Sequence, residues 1–156
     1  MWSIAPKFWA MHFEPWFLPM YRTVINRLGI MENQSLLDAG CGSGMFSSIA
    51  IAKGAQVIGV DAAPGLLQVA RTRNPENNFL EEDLEALPFG DNSFDLVTGF
   101  NSFQYAGSFE KALAEAKRVL RPGGQLVLGI WDKPENSDAT TVLKAIRNRK
   151  RQSHQP

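Results

Sequence analysis

Leu36–Gly44, LLDAGCGSG, lies between a short apolar run and an Ala-rich one, and its three glycines set the reading of the whole chain. Gly40, Gly42 and Gly44 remove Cβ atoms where the chain turns sharply and a ligand approaches the backbone. A ligand held there is expected to meet main-chain N–H groups and the start of the following helix. The dinucleotide fingerprint, G-x-G-x-x-G/A, needs glycine or alanine at position 45, where this chain has Met45. Asp61, about twenty residues on, can accept hydrogen bonds from ribose hydroxyls, each worth about 1.5–3 kcal/mol. Nucleotide-like ligands of both classes use such an acid, so Asp61 alone leaves the class open.

Around this bend the chain alternates. SLLDA (35–39), QVIGVD (56–61), NFLE (78–81), FDLVTGF (94–100) and QLVLGI (125–130) are short apolar runs bounded by Gly or polar residues. Near-continuous apolar strands are the mark of a parallel sheet covered on both faces. Between them, Met45–Lys53 reads as a helix ending before Gly54, and Pro64 suits the first position of a second. Ser108 can cap a third, which places Leu113, Ala116 and Leu120 on one face, carries Lys117, Arg118 and Arg121 in its last turn, and stops at Pro122-Gly123-Gly124. Segment 82–93, broken by Pro88 and Gly90, reads as a loop-like crossover. The expectation is an α/β, Rossmann-like, doubly wound parallel sheet of about five strands with helices on both faces.

Asp38, Asp61 and Asp83, with Glu81 and Glu82 beside it, fall at or just past strand carboxyl ends, where open α/β sheets bind ligands. No Lys or Arg occurs in 36–44, 56–63 or 78–105. This edge favours a cation over a pyrophosphate, although acids at strand ends also serve as caps. Over the whole chain, sixteen Lys and Arg balance sixteen Asp and Glu, a poor match to a nucleic-acid binder. A hydrophobic content of 44% excludes a disordered chain, and one cysteine excludes an internal disulfide framework. No apolar run is long enough for a membrane span. A cytoplasmic protein is expected.

LLDAGCGSG, VIGVDAAPGLL, FLEEDLEALPFGDNSFDLV and RVLRPGGQLVL, in this order over about residues 35–131, resemble the successive motifs of class I S-adenosylmethionine (SAM)-dependent methyltransferases. Within them the chain is most similar to the small-molecule, ubiquinone- and menaquinone-type group. The resemblance implies SAM as cofactor, a small-molecule acceptor and no metal. It places Asp38 and the Gly40–Gly44 loop at the methionine end, with Cys41 contributing backbone. It puts Asp61 on the ribose, Ala62 against adenine, Asp83 on the adenine amino group, the Leu84 N–H on the ring, and Asn101 beside the methionine portion. Tyr105 and His12 are the only candidates for a general base, and the chemistry does not demand one.

Two flanks depart from the pattern. Residues 1–34 form a segment rich in aromatic residues, read as helices that pack on the sheet or wall the substrate, with Trp9 or Tyr21 over the cofactor. Residues 132–156 read as one short helix at 139–148 and a basic tail, without the antiparallel hairpin that completes the class I fold. Leu126, Val127, Leu128 and Ile130 are then expected on an open sheet edge that invites self-association. A shortened enzyme, a cofactor-binding module without catalysis and a nicotinamide-dependent oxidoreductase are the readings to be separated.

Overall fold

The computed structural model describes residues 5–131. The short helix and basic tail read over 132–156, where no closing hairpin is expected, lie outside the described residues. Five strands, β1 (Ser35–Ala39), β2 (Gln56–Asp61), β3 (Asn78–Glu81), β4 (Phe94–Phe100) and β5 (Leu120–Gly129), pair in parallel in the order β3-β2-β1-β4-β5. The sheet is the Rossmann-like α/β sheet expected from the apolar runs.

Neighbouring residues of β1 serve opposite faces, as a period of two requires. Leu36 packs with Ile25 of α2 (Leu18–Leu28) and with Phe46 and Ala50 of α3 (Met45–Ala52). Leu37 packs with Ala112, Ala116 and Val119 of α5 (Phe109–Val119). Both leucines are fully buried, each worth about 1.5–3 kcal/mol. The remaining helices are α4 (Pro64–Arg73), whose Leu67 and Ala70 lie against Phe79, and α1 (Pro6–His12), joined to α2 by a 3₁₀ turn at Glu14–Phe17. Ser108 caps α5 by accepting from the Lys111 N–H at 3.3 Å.

One boundary differs from its reading. α5 ends at Val119, and Arg121 belongs to β5. Pro122 disfavours helical geometry in the residue before it, and Leu120, already extended at φ −74° and ψ 136°, pairs with Phe94. Residues 121–124 then bulge before register resumes at Leu96↔Gln125. Within the bulge Arg121 reaches the Asp95 carboxylate at 2.8 Å, and the Ser35 N–H and hydroxyl donate to the same group.

Segment 82–93 contains no helix, yet it covers the α5 side of the sheet with Leu84, Leu87 and Phe89. An irregular segment against a core must still satisfy its backbone groups. Arg118 donates to the carbonyls of Phe89 (2.7 Å) and Leu87 (3.0 Å), and the Glu115 carboxylate accepts the Leu87 N–H at 2.7 Å. Arg118 and Glu115 also bind each other at 2.7 Å. Arg118→Met strands both carbonyls and is expected to lower the urea-unfolding midpoint, whereas Lys117→Met at the exposed neighbouring position leaves it unchanged.

Candidate functional site

Strand order reverses between β1 and β4, and an open α/β sheet offers its ligand crevice at the carboxyl ends of the strands beside that point. A cavity of about 850 Å³ lies there. Of the residues expected to bind the cofactor, Gly40, Cys41, Gly42, Asp61, Ala62, Asp83, Leu84 and Asn101 line it, as does Tyr105. Asp38 and Gly44 do not line it, and His12 lies exposed on the outer surface against the Phe8 ring, with centroids 4.4 Å apart.

The glycine loop is closed on itself. The Gly40 and Cys41 N–H groups both donate to the Val60 carbonyl, at 2.7 and 2.9 Å. The Gly42 N–H donates to Asp61 Oδ2 at 2.8 Å, and the Gly44 N–H to the Cys41 carbonyl at 2.9 Å. At the start of α3, the Met45 N–H is met at 3.4 Å by Glu14. The N–H groups of Gly40, Cys41, Gly42 and Gly44 are thus already bonded within the protein. Gly40, at φ +83°, lies so close to the β4 end that an added Cβ would stand 2.1 Å from Ser102 Cβ. Gly44, at φ +78°, leaves room for Ala70, 2.9 Å from where its Cβ would be. Nothing lies within 4 Å of the corresponding point at Gly42, which faces open space.

Asp61 is fixed before any ligand arrives: Oδ2 takes the Gly42 N–H and Oδ1 the Ala63 N–H, each at 2.8 Å. Burial pushes its carboxyl above the usual range, against the pull of these backbone donors. Asp83 accepts the Glu85 N–H at 2.9 Å. Asn101 takes φ +53°, a conformation that asparagine tolerates better than most residues, and donates its N–H to the Gly129 carbonyl at 2.7 Å.

Asp38 lies beneath the loop rather than in the cavity. It is 2% exposed and accepts from Ser47 Oγ at 2.6 Å and Thr98 Oγ1 at 3.2 Å. Burial pushes its carboxyl up to about 6, the two hydroxyls offset part of this, and the charges of Asp61 and Glu14 add to it. Burial, with Asp38 and Asp61 nearby, also holds the Cys41 thiol far above its ordinary value, which excludes a nucleophilic role. Burial also raises the Tyr21 phenol well above its ordinary value, with Asp38 and Glu14 adding to the effect.

Several lining residues escaped the sequence reading. Glu14, buried beside the loop, binds Arg73 of α4 at 2.5 Å, and Arg73 also donates to the Ser43 carbonyl at 3.0 Å. Ser102 donates to the Ala39 carbonyl at 2.7 Å and so stitches β4 to β1. Glu85 accepts the Ser108 N–H at 2.7 Å. Six carboxylates line the cavity (Glu14, Asp61, Glu81, Glu82, Asp83 and Glu85) and no Lys, Arg or His does among the described residues. With the loop donors already committed, this donor set suits a cationic ligand rich in hydroxyls and amines, and it offers little to a pyrophosphate.

Residues 37–128 match the family model described as a methyltransferase domain. The chain belongs to that family. It is 37% identical over 136 residues to the demethylmenaquinone methyltransferase of Renibacterium salmoninarum, covering 82% of this chain and 57% of the relative. It is 40% identical over 94 residues to the malonyl-[acyl-carrier protein] O-methyltransferase of Serratia marcescens, covering 60% and 37%. A SAM-dependent methyltransferase structure from Thermotoga maritima superposes with a TM-score of 0.68 at 27% identity, covering 93% of this chain and 68% of the other. The chain spans about half the length, or less, of these curated relatives.

The raised carboxyls give the site a pH signature. Between the ordinary carboxyl range and about 6, native Asp38 holds a proton that the unfolded chain has lost, so stability falls as pH rises through that window. Asp61 acts in the same direction. Asp38→Asn is expected to flatten this decline, read from urea midpoints at intervals between pH 4 and 7.

Proposed function

We propose that this methyltransferase-family chain binds SAM in the cavity at the carboxyl edge of the sheet and transfers its methyl group to a small-molecule acceptor. The observation that carries the reading is a cavity lined by six carboxylates and, among the described residues, no basic side chain, beside a bend whose Gly40, Cys41, Gly42 and Gly44 N–H groups bond within the protein. The cofactor's sulfonium supplies an already activated methyl group, for in-line displacement by a nucleophile on the acceptor.

The chain's part is then positioning and exclusion of water. Asp61, held by two backbone donors, keeps lone pairs for ribose hydroxyls. Asp83 and the Leu84 N–H are assigned to adenine, Ala62 to its face, and Gly40–Gly42 with Asn101 to the methionine end. Gly42 suits that assignment because it leaves open space where a side chain would stand. The rings of Trp9, Phe17, Tyr21, Phe100 and Tyr105 form the rest of the wall and suit an apolar or aromatic acceptor. Tyr105 is the one general-base candidate that lines the cavity. A cytoplasmic setting and self-association through β5 belong to the same proposal.

Calorimetry tests the cofactor assignment. S-adenosylhomocysteine is expected to bind and NAD to give no heat; tight NAD binding without a response to S-adenosylhomocysteine overturns the reading. Asp61→Ala is expected to weaken S-adenosylhomocysteine by about 30- to 1,000-fold, or about 2–4 kcal/mol. A methyl-donor turnover assay against apolar and aromatic acceptors separates an enzyme from a module that binds cofactor without turnover. Sedimentation at high concentration tests association, and a clean monomer overturns that part.

A further inference from the structure

Glu14 is the only acid in residues 1–31, and it is buried and paired with Arg73. The outer surface of the described part of this segment therefore presents no carboxylate. It presents Lys7, Arg22 and Arg27, all exposed. The same segment leaves apolar side chains in water: Trp16 at 73% exposure, Met11 at 70% and Phe8 at 56%. These are not scattered singly. Phe8 and Phe13 have ring centroids 6.0 Å apart, and Phe13 and Trp16 5.5 Å. Phe13 stacks on Trp9 at 5.5 Å, and Trp9 lines the cavity. An unbroken run of rings thus leads from the outermost surface of the molecule to the wall of its site.

An apolar patch of this kind on a soluble domain marks a contact surface. Its charge selects a negatively charged partner, and its shape narrows the choice further. The exposed rings stand on a short helix, the residue after it and a 3₁₀ turn. Projecting tryptophan and phenylalanine with flanking lysine and arginine suit the headgroup layer of a bilayer, which requires no complementary surface. No helix among the described residues is long and apolar enough to cross a membrane, so contact through this patch is peripheral.

We infer that the outer face of α1 and the following 3₁₀ turn docks on an anionic bilayer surface, with Phe8, Met11 and Trp16 in the headgroup layer and Lys7 and Arg22 against lipid charge. The inference goes beyond the proposed function and does not depend on it.

Co-sedimentation of the full 156-residue chain with vesicles tests it. Vesicles mixing phosphatidylcholine and phosphatidylglycerol are expected to carry the chain down, with a blue shift in tryptophan emission, and vesicles of phosphatidylcholine alone to carry down much less. Phe8→Ser with Trp16→Ser, and separately Lys7→Glu with Arg22→Glu, are each expected to lower partitioning at least about tenfold. All four positions are exposed, so thermal unfolding and S-adenosylhomocysteine affinity should match the parent. The inference is overturned if the parent fails to bind mixed vesicles. It is also overturned if both double variants bind as the parent does, which would assign the binding to the basic residues of 144–151. Capture by an acidic protein, probed with acyl carrier protein, in place of vesicles overturns it too.

Discussion

A single carboxylate joins the ends of two parallel strands in this fold. Asp61 closes β2, and its two oxygens take the Gly42 N–H of the β1 loop and the Ala63 N–H at the start of α4. The Val60 carbonyl beside it takes two further N–H groups from the same loop. The β1 bend is therefore pinned to β2 along its whole turn. On its other side, Ser102 pins it to β4 through the Ala39 carbonyl, at a distance that only a glycine at position 40 permits. The cavity has a rigid floor because of these contacts.

That economy of N–H groups also bears on the ligand proposed for the cavity. A glycine-rich turn with free donors attracts phosphate. Here the N–H groups of Gly40, Cys41, Gly42 and Gly44 are bonded within the protein, and six carboxylates line the cavity. Glu14 adds a carboxylate beside the loop, and Arg73, which does not line the cavity, partly balances its charge. The proposed preference for a nucleoside cation over a dinucleotide thus rests on the hydrogen-bond inventory of one loop as much as on its glycine spacing.

The strands were legible because each is a short apolar run that must be buried on both faces, and four of the five begin and end where the runs do. The fifth extends back to Leu120 because Phe94, twenty-six residues earlier, offers a pairing partner that helical spacing cannot reveal. That Asp61, Asp83 and Asn101 line the cavity was legible from their places at or just past strand ends. Glu14 was not, because its significance comes from Arg73, fifty-nine positions away. Asp38 looked like a ligand residue for the same reason as Asp61; only Ser47, Thr98 and its burial distinguish a carboxyl under the loop from one in the cavity. Sequence proximity finds residues at an edge, and only packing decides which way they point.

Segment 82–93 does two jobs at once. Its Asp83, Leu84 and Glu85 border the cavity, while its Leu84, Leu87 and Phe89 roof the sheet under the grip of Arg118. Occupancy and folding therefore draw on one equilibrium: any molecule that steadies the rim also suppresses local opening of the roof. Substitutions that retune recognition here carry a thermodynamic penalty absent from an ordinary surface loop, so this stretch is constrained twice over in how far it can drift.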